Sequence, residues 1–125
     1  MATVVVGYVP KPEGEAALRA AIDEARRREA TLIVVNARRS ASDPEPDLSG
    51  VREMLTESGV PFDLREVVQG LDASEDLIAV AEDTDAELIV IGLRRRTPVG
   101  KLILGSNAQR VLLDAPCPVL AVKAS

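Results

Sequence analysis

The residues with the clearest capacity for chemistry lie between Ile91 and Asn107, in the stretch "IGLRRRTPVGKLILGSN". An apolar run ends at Gly92, three consecutive arginines follow (Arg94, Arg95 and Arg96), and the segment closes on Gly105 and Ser106 where a helix should begin. The first backbone N–H groups of a helix lack intrahelical partners and carry the positive end of its macrodipole. Gly105 would let an anion approach that backbone, Ser106 would add a hydroxyl, and guanidinium groups bind phosphate oxygens bidentately. The plainer reading is a capped turn, because Ser106 and Gln109 have capping-box spacing and arginine runs commonly form solvated faces. Both readings remain open at this level.

The other chemistries are narrower. With no histidine, Ser-His-Asp and Cys-His catalysis and histidine metal sites are excluded. The single cysteine, Cys117, cannot form an intrachain disulfide and is expected to fill space as a small hydrophobe. Asp43, Glu45 and Asp47 sit in a Pro/Ser/Asp-rich loop and are expected to be solvated, although they could assist slow ATP hydrolysis. No general base or nucleophile emerges, so the chain is not expected to be an enzyme.

Something must position that loop, and the composition says what kind of domain can. A chain of 125 residues with 46% hydrophobic but only 2% aromatic content suits one domain, spanning 1–125, around an aliphatic core. The net charge of −5 and the lack of interleaved aromatic and basic residues argue against nucleic acid as a partner. No apolar run approaches ~18 residues, and the N-terminus lacks a signal pattern, so no membrane partner and a cytoplasmic location are expected.

β-branched runs at 3–9, 31–37 and 86–92 read as strands buried on both faces, and "FDLREVVQG" as a more exposed strand. A final strand falls in "CPVLAVKA". Between them lie helical patterns, the first placing Ala17, Leu18, Ala21, Ile22 and Ala25 on one stripe. Gly59 is placed to end the second, and Asp72 and Glu75 have capping-box spacing at the third. Alternating strands and helices imply a doubly wound parallel sheet with helices on both faces, whose ligands sit beyond the strand carboxyl ends where the winding reverses. A receiver domain would need acidic residues at the ends of the first and third strands. A flavodoxin would need a Ser/Thr-rich loop after the first strand, where "VPKPEG" stands instead.

The spacing Gly92, two residues, position 95, nine residues, Gly105-Ser106 resembles the G-x2-G-x9-G-[ST] nucleotide signature of universal stress proteins. The likeness continues through "KLILGSNAQRVLLDAPCPVLAVKA" and includes the opening "VVVGYV". It implies a five-stranded sheet in order 3-2-1-4-5, of adenine-nucleotide alpha-hydrolase-like fold. It further implies ATP, with Mg²⁺, held between the first and fourth strands. Phosphates would lie on Gly92, Gly105, Ser106 and Asn107, with Arg94 and Arg95 beside them; adenine would lie near Tyr8, Val9, Val35 and Asn36. The chain departs from the family at two places: Arg95 replaces the second signature glycine, and Val9 stands where a carboxylate usually ends the first strand. The resemblance also implies a homodimer through the last strand, Pro118 to Lys123, where Pro116 and Pro118 suit a sheet edge. The competing reading is a dimeric interaction module of the same fold that binds no nucleotide.

Overall fold

In the computed structural model, the residues described are 2–37, 48–67, 73–93 and 106–124. They form β1 (Thr3–Gly7), α1 (Pro12–Arg28), β2 (Thr31–Ala37), α2 (Ser49–Ser58) and β3 (Phe62–Val67). The chain continues with α3 (Ala73–Asp83), β4 (Leu88–Leu93), α4 (Ser106–Asp114) and β5 (Val119–Lys123). The five strands make one sheet in the order β3-β2-β1-β4-β5. Every pairing in it is parallel. β1 lies at the centre, in register with Thr31–Val35 on one side and Leu88–Val90 on the other.

Alternation along the strands divides the core in two. Val4, Val6, Leu32, Val34, Leu88 and Val90 face α1 and α2, and meet the Ala17, Leu18, Ala21, Ile22 and Ala25 stripe. Val5, Ile33, Val35, Ile89 and Ile91 face α3 and α4, against Leu77, Val80, Ala81 and Val111.

Helix boundaries follow local chemistry. Pro12 occupies the first turn of α1, Glu13 and Glu15 sit at its positive end, and Arg26, Arg27 and Arg28 at its negative end. Glu29 closes it in the left-handed region at φ 53°, and Ala30 N–H donates to Ala25 O at 2.9 Å. The Arg26–Arg28 run is a surface ion-pair face: Arg27 meets Glu24 at 2.8 Å and Arg28 meets Glu87 at 2.7 Å. Gly59, at φ 76°, ends α2.

β4 runs one residue past the expected 92, to Leu93, and two other strand limits differ from the sequence expectation. β4 begins at Leu88 rather than Ala86, because Ala86 N–H still closes α3 on Ala81 O at 3.0 Å. β1 ends at Gly7, although Tyr8 N–H keeps a bond to Val35 O at 2.9 Å before the chain turns at Val9. Among the described residues, no helix is long and apolar enough to cross a membrane.

Candidate functional site

β1 and β4 are neighbours, but their connections leave in opposite directions. The chain from β1 enters α1 on one face, and α4 packs on the other. Beyond their carboxyl ends the sheet therefore opens, which is where ligands bind in doubly wound sheets. A cavity of about 170 Å³ lies there. Its floor is Gly7, Val35 and Ile91 from the strand ends. One wall is Ser74 and Leu77 of α3 with Asn107, Ala108 and Val111 of α4; the rim is Tyr8, Val9, Glu13, Gly14 and Gly92. The lining is mostly apolar with a few polar groups, the composition that suits a flat ring system.

Two glycines set the shape of the rim through the Cβ they lack. A Cβ on Gly14 would lie 1.9 Å from the Val9 carbonyl oxygen, and one on Gly92 would lie 2.0 Å from the Glu13 carbonyl oxygen. Both obstacles are backbone, so neither can swing aside. The start of α1 is thus seated directly on the turn after β1 and on the end of β4. Gly92 has a packing reason for being glycine, distinct from the approach of a phosphate that its place in the sequence suggested.

Tyr8 is 7% exposed. Burial, with Glu15 adding to it, raises its phenol above the ordinary value, so it stands as a neutral group at neutral pH. α4, whose Asn107 and Ala108 line the same cavity, begins at Ser106, and its first-turn amides supply a positive helix end. Arg110 of α4 bonds Glu75 of α3 at 3.1 Å and Asp114 at 3.0 Å, tying the two wall helices together.

Of the residues singled out from sequence, Tyr8, Val9, Val35, Gly92 and Asn107 border this cavity. Asn36 is buried at 4% exposure and is not among its lining, because strand alternation turns it to the sheet face opposite Val35. Arg94, Arg95, Arg96 and Gly105 lie outside the described residues, as do Asp43, Glu45, Asp47 and Asp72. The sequence reading missed Gly7, Glu13, Gly14, Ser74, Leu77, Ile91, Ala108 and Val111. Gly14 carried a signal: glycine inside a helix costs roughly 0.5–1 kcal/mol relative to alanine, and is kept where backbone must come close. Cys117 packs half-buried against the α3 and α4 side of the core, where burial raises its thiol pKa.

An all-parallel five-stranded sheet in order 3-2-1-4-5, opened at the strand reversal, defines an α/β domain of the adenine-nucleotide alpha-hydrolase-like fold. A model of the universal stress protein family matches residues 1–123, and the chain belongs to that family. A universal stress protein of Mycolicibacterium smegmatis is 49% identical over 128 residues, covering 96% of each chain. The structure of a universal stress protein from Archaeoglobus fulgidus superposes with a TM-score of 0.83 at 32% identity, covering 98% of this chain and 99% of that one. A second A. fulgidus universal stress protein, solved in complex with dAMP, superposes with a TM-score of 0.77 at 26% identity over 98% of both chains.

Proposed function

We propose that this universal stress protein binds an adenine nucleotide in the cleft between β1 and β4. In this reading it acts as a cytoplasmic homodimer in a stress-response or regulatory role rather than as an enzyme. The observation that carries the reading is the apolar-lined cavity at the strand reversal, facing the first turn of α4. At about 170 Å³ it is smaller than the ~300–1,000 Å³ of sites that enclose a whole ligand. It therefore suits the base, against Tyr8, Val9, Val35, Leu77 and Ile91, with ribose and phosphates extending over the rim. Phosphates directed toward α4 would meet its N-terminal amides and Asn107, with Ser106, Gly105, Arg94 and Arg95 completing the anion site and Mg²⁺ accompanying ATP. The dAMP complex of the 26% identical A. fulgidus protein supports the ligand class.

Calorimetric titration with AMP, ADP and ATP, with and without Mg²⁺, tests the reading. Saturable binding is expected, weakened by Ala108→Leu, which places extra volume in the cavity. Where the arginines serve phosphate, Arg95→Ala lowers affinity and flattens its salt dependence. A change below ~0.5 kcal/mol, the usual size for surface substitutions, assigns them to solvent instead. Absence of binding up to millimolar nucleotide overturns the proposal in favour of a ligand-free interaction module.

A further inference from the structure

Val9 has no hydrogen-bond acceptor in its side chain, and it borders the cleft at the position where the resemblance leads one to expect a carboxylate. A residue that carries a carboxylate nevertheless lines that cleft: Glu13, in the first turn of α1.

Three observations single out Glu13. It is partly buried, and among the described residues no ion pair or hydrogen bond engages its side chain. Its main chain is held on both sides: the Glu13 carbonyl sits against the Cα of Gly92, and the next residue, Gly14, sits against the Val9 backbone. The residue is therefore fixed at the rim, where the start of α1 meets the turn after β1 and the end of β4. Every other acidic residue of the first turn of α1 lies elsewhere, since Glu15 is exposed and does not border the cavity.

We infer that Glu13 is the ribose-recognising residue of this cleft: its carboxylate accepts hydrogen bonds from the sugar hydroxyls of a bound nucleotide, and so makes the site selective for ribonucleotides. The inference rests on the nucleotide reading above. An ionised carboxylate is acceptor-only, which matches the 2′- and 3′-hydroxyls as donors, and such charge-assisted bonds are stronger than neutral ones. A deoxy analogue would leave that carboxylate desolvated and without its donor, which is a larger loss than the missing bond alone. The ordinary role of Glu13, complementing the helix dipole, is shared by Glu15 and gives no reason for sugar selectivity.

The experiment is a thermodynamic cycle on the full chain, titrating AMP, 2′-deoxy-AMP and 3′-deoxy-AMP into the unaltered protein, Glu13→Gln, Glu13→Ala and Glu15→Gln. The unaltered protein should favour AMP over at least one deoxy analogue by about tenfold, as charge-assisted bonds predict. Glu13→Gln and Glu13→Ala should weaken AMP and bring that ratio to within about twofold, whereas Glu15→Gln should preserve it. If AMP binds and the ratio survives both Glu13 substitutions, the role of Glu13 is overturned while the cleft reading stands. Equal binding of all three nucleotides to the unaltered protein overturns it in the same way. If AMP does not bind the unaltered protein at all, both readings fall.

Discussion

Tyr8 is the single tyrosine of the chain, which has no tryptophan, so its ionisation can be followed optically without interference from either residue type. Its phenol is raised above 10.0 by burial and by Glu15. A group whose folded pKa exceeds its unfolded value contributes stability that is complete below the unfolded value and is lost as pH rises through the folded one. The alkaline titration of the folded chain should therefore have its midpoint above 10.0, and return to about 10 in denaturant. Tyr8→Phe should remove the part of the alkaline stability loss that coincides with this titration. A folded-state midpoint at 10.0 would refute the burial effect. Tyr8 was legible in the sequence as a residue at the mouth of the first strand. Asn36 is placed differently. Proximity to a strand end suggested a role near the base, while the two-residue alternation of β2 sends it to the opposite face from Val35.

At the scale of elements, the seat of α1 on β1 and β4 depends on the absence of two Cβ atoms. Gly14→Ala and Gly92→Ala would each place a methyl within 2.0 Å of backbone oxygen, so the helix itself must shift. Each substitution should cost about 3 kcal/mol, the upper end of ordinary overpacking, and disturb the rim of the cleft as well. Gly50→Ala, where nothing lies within 4 Å, is the control and should stabilise by about 0.5–1 kcal/mol. Urea denaturation of the three variants reads the difference directly, and equal midpoints would show that α1 yields easily. The elements themselves were readable in advance because β-branched runs and a 3.6-residue apolar stripe are local signals. The contribution of α3 to the cleft was not. Leu77 lies on a helix between β3 and β4 in the chain, yet a Cβ on Gly7 of β1 would lie 3.2 Å from its Cδ2. That contact is made by the crossover topology, and no window of sequence contains both partners. The wall formed by Ser74 and Leu77 was hidden for the same reason.

At the scale of the molecule, the two edges of the sheet differ in kind. On β5, Leu120 is 36% exposed, and on the neighbouring α4 Leu112 is 41% and Leu113 83% exposed. These are unusual exposures for leucine in so small a domain, and they lie beside an edge whose backbone groups are available for pairing. The homodimer proposed above would run β5 antiparallel to its own copy about a twofold axis, covering this apolar zone. Light scattering at micromolar concentration should give a dimer for the unaltered chain and a monomer for Leu120→Asp, with unfolding free energy of the monomer little changed. A monomeric unaltered chain would overturn the dimer. Dissociation by Leu113→Asp but not Leu120→Asp would move the interface onto α4. The opposite edge, β3, carries an ion pair, with Arg65 Nε donating to Asp63 Oδ2 at 2.7 Å along that strand, whereas the single charge on β5 is Lys123 at its end. Charged side chains on an edge strand oppose the addition of further strands. A sheet with one receptive edge and one guarded edge has a valence of one. In the proposed dimer, pairing β5 with β5 would leave β3 at each end of a ten-stranded ribbon, and the charged β3 edges of the described residues would oppose growth beyond two chains into a filament.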